Sequence, residues 1–485
     1  MRTTDIIGRK PELETLKYLY DSQKSEFLAI YGRRRVGKSF LIEEAFEGEI
    51  SFTAVGIFKK DADSSTYKKT QLVHFHECLI EYGLNREDTP VPESWREAFA
   101  LLRKLLSSKR ARKKVVFLDE LPWLAGPQSS ELVEELGWFW NEWARKQKNI
   151  FLIVCGSSTS WMLDNVIRDY GGLHGRLTEK IHLQPFSLKE CEEFFSRRGF
   201  HMSRYEIALC YMTIGGIPYY MDKLRPNRTL AENIDSVYYN RNDVSQEFKD
   251  VYTGLFTSSE RYIDIVKALG KKFYGMTRAE IESHLKIKSG GTLSKMLDNL
   301  IESGIIKTYK RYGEARVTTV YQLKDFFSLF YLRFIEASSK YTQWRSLQRT
   351  PAFYTWAGNS FELLVAEHIP QLCEILRIKD PAESYCWTGR TPDEKNVQID
   401  LLIPAPMERT DYLCEIKFSE NTYSISADYE ASLRNKLDAF IYSKQHKKTH
   451  SLQLVMVTSF GLSKSIHNGS VNSIICLDQL FNVDQ

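Results

Sequence analysis

The stretch Gly32-Arg33-Arg34-Arg35-Val36-Gly37-Lys38-Ser39 decides how the first half of this chain is read. It fits G-x-x-x-x-G-K-[ST] at every fixed position, the spacing of a loop that wraps phosphate groups. Glycines let such a backbone curl until successive N–H groups point inward. A helix beginning at the loop's end adds its own unpaired N–H groups and the positive end of its dipole. Lys38 would reach the β- and γ-phosphates of a nucleotide, and Ser39 would place its hydroxyl on Mg²⁺. The cradle would run from Gly32 to Phe40. The flanks agree: Phe27–Tyr31 is an apolar run of strand length, and Ser39–Phe46 reads as a helix.

Working outward, Lys113–Leu118 is a second apolar strand, and it ends in Asp119-Glu120. Ligands of parallel sheets bind beyond the carboxyl ends of strands. Asp119 there would hold Mg²⁺ through water, and Glu120 would polarise an attacking water. The plainer alternative is a helix cap. Asn149–Gly156 is a third buried strand, followed by Ser157-Ser158. Either serine would contact the γ-phosphate or the attacking water, or cap the next helix. Gly171–Leu177 is a glycine-rich loop carrying Arg176. Arg176 is a candidate arginine finger, in cis or from a neighbouring subunit, or a surface arginine. Upstream, Gly8-Arg9 turns into a helix that Pro11 opens.

These segments come in the order of the archaeal-type ATPases, which belong to the STAND group within the AAA-like class, and the chain resembles them over residues 5–250. Pro185–Glu190 and Gly215-Gly216-Ile217-Pro218 strengthen the match. The resemblance implies that Gly8 and Arg9 pack on adenine, that residues 186–255 form a helical lid, and that Pro218 sits near the nucleotide. It also implies ATP as the nucleotide, and an ATP-driven switch often coupled to self-association. From the residues alone, Gly215-Gly216 and Pro218 mark only a sharp turn between helices.

Composition excludes several other classes. Hydrophobic residues make up 43% and charged residues 26%, as in an ordinary globular chain. A net charge of +4 leaves room only for a local nucleic-acid surface. None of the eight cysteines forms a C-x-x-C pair, which argues against zinc sites and a disulfide framework. No apolar run reaches the roughly 20 residues of a membrane helix, and no signal-peptide core is present. The expectation is a cytoplasmic protein without a membrane partner.

Residues 256–325 change character. Tyr262–Leu269 is an amphipathic turn set, Thr277 with Glu280 has capping-box spacing, and Thr292–Ser303 is a longer helix ended by Gly304. Ile305–Gly313 and Arg316–Leu323 alternate like a hairpin. Three helices and a hairpin resemble a winged helix, whose third helix could enter a major groove. Lys286, Lys288, Lys295, Lys307, Lys310 and Arg311 make it locally basic, although such modules also serve as protein contacts. Residues 326–350 read as a connecting helix.

In residues 351–485, Val397–Ile403 is a strand containing Asp400, and Tyr412–Phe418 is a second strand containing Glu415 and Lys417. Alternation along a strand puts Glu415 and Lys417 on one face. Acids on neighbouring strands are costly to bury unless they bind a cation such as Mg²⁺ or Mn²⁺. Asp400 with Glu415-x-Lys417 resembles the PD-(D/E)xK nuclease signature, with Gln-Ile-Asp where the name pattern has Pro-Asp. The resemblance implies metal binding by Asp400 and Glu415, a helical Glu362 joining the site from a helix starting near Gly358, and a following helix, Tyr429–Tyr442, whose Arg434 or Lys436 touches phosphate. The plainer alternative is a salt-bridged surface hairpin. The order of the three parts also resembles an archaeal and bacterial ATPase family.

The expected fold is therefore α/β: a parallel P-loop NTPase sheet in residues 1–185, a helical lid, a winged helix, and an α/β PD-(D/E)xK nuclease-like domain. The expected function is an ATPase regulating a metal-dependent nuclease that acts on DNA. The alternatives are an ATP-dependent switch or scaffold with a non-cleaving C-terminal domain, or a DNA-binding regulator. Homo-oligomerisation is a possible partner state.

Overall fold

A computed structural model describes residues 6–59, 63–126, 130–168, 173, 175–240, 244–256, 258–287, 290–310, 312, 319–336, 342–379, 383–391 and 393–482. The chain divides into two compact units, Met1–Pro185 with Val251–Thr257, and Phe186–Asp250 with Ser258–Gln485. The first boundary falls where the expected ATPase core ends. Residues 251–257, where the expected lid ends, group with the first unit.

The first unit is built on β1 (Glu26–Tyr31), β2 (Ile50–Val55), β3 (Lys114–Asp119), β4 (Ile150–Gly156) and β5 (Glu179–His182). They form one parallel sheet in the order β2-β3-β4-β1-β5. β1, β3 and β4 are apolar and buried almost throughout, as strands covered on both faces must be. Helices Ser64–Glu81, Trp95–Ser108 and Glu131–Glu142 supply a cluster around Phe52, Phe75, Trp95, Phe99 and Trp140. Ser94 starts the second of these helices by accepting the Glu97 N–H, which satisfies a donor that the helix leaves unpaired. β4 lies between β1 and β3, so the carboxyl ends of all three stand side by side.

In the second unit, helices Leu188–Arg197, Arg204–Ile214 and Leu230–Tyr238 each begin with a reciprocal capping box: Ser187 with Glu190, Ser203 with Glu206, Thr229 with Glu232. Gly215 adopts φ +69°, and Pro218 opens the short helix Pro218–Met221. Helices Ser259–Gly270, Arg278–Leu285 and Gly291–Glu302 follow, with the expected Thr277–Glu280 capping box. They accompany an antiparallel sheet, β6 (Met276–Thr277), β7 (Ile306–Lys310) and β8 (Thr319–Leu323), in the order β6-β8-β7. Lys288, Arg311, Gly313 and Arg316–Thr318 of the expected basic hairpin lie outside the described residues.

The expected connecting helix is broken. Asp325 caps Phe326–Phe330, a wider π-type stretch covers Tyr331–Glu336, and Trp344–Leu347 is a separate turn. Packing favours the break. Phe330 faces Trp344 at 5.8 Å and Trp356 at 5.3 Å, and Phe327 stacks on Tyr220 at 4.7 Å.

Helix Pro351–Ala366 comes next. It begins seven residues before the Gly358 start read from sequence, because Thr350 caps the Phe353 N–H and Pro351 takes the first turn. β9 (Tyr385–Arg390), β10 (Asn396–Ala405) and β11 (Thr410–Lys417) run antiparallel to one another in turn. Helix Ala427–Ile441 then leads to β12 (Ser451–Thr458), parallel to β11, and β13 (Ser473–Cys476). The sheet order is β13-β12-β11-β10-β9. Among the described residues, no helix is long and apolar enough to cross a membrane.

Candidate functional site

The phosphate-type loop leaves β1 at Gly32 and enters helix Lys38–Ala45 at Gly37. Gly32 and Gly37 have φ of +141° and +93°, and Arg35 also sits in the left-handed region at +73°. A Cβ at Gly32 would collide with the Leu183 carbonyl oxygen, whereas nothing lies within 4 Å of the Cβ position at Gly37. The first glycine is required by a neighbour, and the second leaves open space on the loop. Lys38 is buried and donates to the carbonyls of Gly32 at 3.0 Å and Arg33 at 2.9 Å. Those bonds hold the ammonium over the loop. Ser39 Oγ donates to Asp119 Oδ2 at 2.5 Å.

Asp119 ends β3 and is buried. Its other oxygen accepts the Glu120 N–H at 2.8 Å. Glu120 has φ +45°, a strained value for a side chain of its size. Its Oε2 accepts from Ser157 Oγ at 2.9 Å and from Ser157 N at 3.2 Å. Burial raises the Glu120 carboxyl above its usual range, and the Lys38 charge partly offsets this. Ser157, at the end of β4, thus joins the acidic pair, while Ser158 Oγ donates to Leu255 O at 3.3 Å.

Arg9, at φ +55°, donates to the Val36 carbonyl at 3.1 Å. The Gly8-Arg9 turn therefore braces the loop itself, a contact that sequence reasoning missed. Arg34 lies over the Trp123 ring at 5.4 Å. Phe40 is exposed on the helix that follows. Arg176 is exposed, and its N–H closes a turn on Leu173 O at 3.0 Å. Pro218 belongs to the second unit, so the geometry of the first does not include it.

The donor chemistry suits Mg²⁺ and a nucleotide triphosphate: a hydroxyl and a carboxylate touch each other beside a lysine and a loop of inward-curling backbone. Residues 6–224 match the model of a family described as an ATPase domain predominantly from Archaea. This part of the chain is such a domain. The chain is also 28% identical over 341 residues to the uncharacterized protein MJECL04 of Methanocaldococcus jannaschii, covering 68% of this chain and 69% of that one. A shorter match, 42% over 44 residues, is to the uncharacterized ATP-binding protein MJ0423 of the same organism, covering 9% of this chain and 75% of that one. The Walker-type ATPase PABY2304 of Pyrococcus abyssi superposes loosely, with a TM-score of 0.47, 21% identity, 69% of this chain and 97% of that one.

Beyond the ATPase domain, the C-terminal sheet gathers a second set of acids. Extending the Leu401↔Cys414 register by one step puts Asp400 opposite Glu415, on one face of adjacent strands. Asp400 Oδ2 accepts the Ile416 N–H at 3.0 Å and lies 3.6 Å from Lys417 Nζ. Glu415 is buried and accepts from Lys417 at 2.8 Å, Tyr429 OH at 2.8 Å, and Lys436 at 2.8 and 2.6 Å. Burial raises the Asp400 carboxyl, and the Glu415 charge adds to the shift. Burial works the same way on Glu415, but Lys417 and Lys436 outweigh it and hold that carboxyl low. Burial opposes the charge on Lys417 as well, yet Glu415 and Asp400 hold it up to about 12.

Glu362, in the middle of helix Pro351–Ala366, senses both acids. Tyr274 OH donates to its Oε2 at 3.4 Å, and Glu362, Asp400 and Tyr274 line a small cavity of about 80 Å³. Lys436, expected on phosphate, is instead bound to Glu415, and Arg434 pairs with Glu430 at 2.6 Å. Neither the Tyr429 contact nor the Tyr274 contact was anticipated. Among the described residues, no group of three or more His, Cys, Asp or Glu is arranged to hold a metal ion. The carboxylates on β10 and β11 therefore fit a divalent ion only as a two-carboxylate site completed by water and substrate phosphate, the way Mg²⁺ is commonly held.

Proposed function

We propose that this protein is an ATP-hydrolysing switch whose nucleotide state governs a PD-(D/E)xK nuclease-like site acting on DNA. One observation carries the reading of the second site. Asp400 faces Glu415-x-Lys417 on adjacent strands, within the order helix, three antiparallel strands, helix, parallel strand. Ser39 and Asp119 would hold Mg²⁺ at the first site, and Asp400 and Glu415 would hold Mg²⁺ or Mn²⁺ at the second. The metal would supply charge neutralisation and an activated water.

The chain's own residues do the rest. Lys38 binds the nucleotide phosphates. Glu120, oriented by Ser157, takes a proton from water, and burial raises its affinity for that proton. Lys417 stabilises charge on the scissile phosphate, and Glu362 completes the acidic face. Gly8, Arg9 and Pro218 are proposed at the nucleotide, and Arg176 as a finger in cis or from a second copy. Residues 256–325 are proposed as a winged helix that presents DNA, with exposed Lys295 and Lys310 as phosphate contacts. Lys307 is spoken for, since it bonds Glu367 at 3.3 Å.

A second reading, a switch or scaffold whose C-terminal domain binds without cutting, is favoured by the full complement of partners on Glu415. ATP hydrolysis and DNA cleavage by the wild type, Lys38→Ala and Asp400→Ala separate the two. The nuclease reading expects Lys38→Ala to lose hydrolysis and Asp400→Ala to lose cleavage alone. Hydrolysis without cleavage in every protein would leave the scaffold.

A further inference from the structure

A groove on the C-terminal domain lies beside β9, the edge strand of its sheet, at the end of helix Ala427–Ile441. It encloses about 660 Å³, and its lining includes Trp387, Thr388, Arg390, Tyr442, Ser443 and Gln445. Asp400, Glu415 and Lys417 are not among its lining residues. Trp387 is only 2% exposed, yet its indole N–H has no hydrogen-bond partner. A Cβ at Gly389 would collide with the indole, so glycine there is what lets the ring lie against its own strand. On the rim, the Tyr442 ring is 76% exposed and open to a ligand.

The loop that follows Tyr442 is basic. Lys444 sits between two lining residues, and Lys447 and Lys448 come shortly after. All three are exposed, and among the described residues none has a carboxylate within ion-pair distance. The loop is anchored. His450 Nδ1 lies 3.1 Å and His446 Nδ1 3.9 Å from the carboxylate of Asp411, which is fully buried in β11. The His446 ring also packs on Phe440 at 5.8 Å. Arg390 opposite carries only a loose pair to exposed Glu394 at 3.7 Å.

We infer that this groove binds a single strand of nucleic acid, with an unstacked base against Tyr442 and the phosphates along Arg390, Lys444, Lys447 and Lys448. Aromatic faces beside an unneutralised basic track are the two elements of strand binding without sequence readout. A duplex keeps its bases stacked inside and cannot offer a ring to Tyr442. The inference goes beyond the proposed cleavage chemistry and stands on different residues. DNA and RNA share the chemistry of a charged backbone and exposed bases, so both sources are tested.

The test is fluorescence anisotropy of the full-length protein with labelled oligothymidylate and oligouridylate of about 20 nucleotides, and with a duplex of equal length, in EDTA so that no cutting occurs. Tyr442→Ala is expected to weaken strand binding about tenfold and to leave duplex binding alone. Changing Lys444, Lys447 and Lys448 together to Ala should lower the salt slope by about 2, at roughly 0.7 per lost contact. All four side chains are exposed, so thermal unfolding should be unchanged. Comparable loss on both oligomers assigns the shared chemistry, and loss on one alone assigns the contact to the sugar or the base methyl by which the two probes differ. Wild-type affinity in both variants, or equal loss on the duplex, overturns the groove. Wild-type strand affinity in both variants leaves the cleavage loss expected of Asp400→Ala untouched, so a failed groove and a failed nuclease are told apart.

Discussion

Glu120, the proposed base, shows at the residue level how position sets the state of a carboxylate. Its backbone is strained, its carboxylate is buried, and Ser157 donates to it twice. Glu120→Gln should still bind ATP while hydrolysis falls by about 10² to 10⁴-fold, the usual worth of a positioned base. Nucleotide affinity by titration and turnover by phosphate release check this. Loss of binding would assign Glu120 to the cradle instead. Glu362 makes a pH prediction. Burial first, and Asp400 second, push its carboxyl up to about 8 from an ordinary 4.5. The folded state therefore holds the proton more tightly than the unfolded chain. That stability is fully present below the ordinary value and is lost as pH rises through about 8. In EDTA, the melting temperature should fall between about pH 5 and pH 8, and Glu362→Gln should flatten the decline. Lys38, Ser39, Asp119 and Asp400 stood out in the sequence because their proposed roles admit few residue types at a set spacing. Tyr429, Lys436 and Tyr274 were not, because they reach the acids only through the packing of other elements.

At the scale of elements, one glycine and one lysine are the sensitive points. A Cβ at Gly216 would collide with the Phe186 carbonyl, whose own N–H donates to Gly216 O at 2.6 Å. Backbone cannot yield as a side chain can, so Gly216→Ala should cost about 1–3 kcal/mol, read from denaturant unfolding. An unchanged midpoint would mean that this turn relaxes freely. Lys436→Met removes from helix Ala427–Ile441 an ammonium that bonds both oxygens of Glu415. Glu415 is depressed in the fold, so its contribution is present above its ordinary value and lost in acid. The variant should lose about 1–3 kcal/mol at neutral pH and little at low pH. β1, β3, β4, β10 and β11 were readable as apolar runs. β5 was not, since only Ile181 of Glu179–His182 is buried and its pairing with β1 is all backbone. β9 hides its one core residue, Trp387, among polar neighbours. The connecting helix was misjudged because aromatic packing, not helical propensity, sets its breaks.

Over the whole molecule, the segment Val251–Thr257 groups with the ATPase core although the chain on either side of it does not. A Cβ at Gly254 would collide with the Arg34 guanidinium, and Leu255 O accepts from Ser158 Oγ at 3.3 Å. The same short segment thus touches the phosphate-binding loop and the end of β4, then continues into the part of the chain that carries Asp400 and Glu415. Gly254→Val should displace Arg34 from Trp123 and weaken the dependence of DNA cleavage on ATP more than hydrolysis itself; equal loss of both would make the contact merely structural. The parallel sheet of the first unit was legible from motif order, whereas this return to it was not, because nothing in the residues 251–257 marks it. The account rests on one coupling, between nucleotide state and the acids on β10 and β11. Its most direct measurement is nicking of supercoiled plasmid in Mg²⁺ or Mn²⁺, with and without ATP, beside Glu415→Ala and Lys38→Ala. The account predicts nicking that Glu415→Ala abolishes and whose response to ATP Lys38→Ala removes. Nicking that survives Glu415→Ala, or no nicking under any condition while ATP is still hydrolysed, would contradict it.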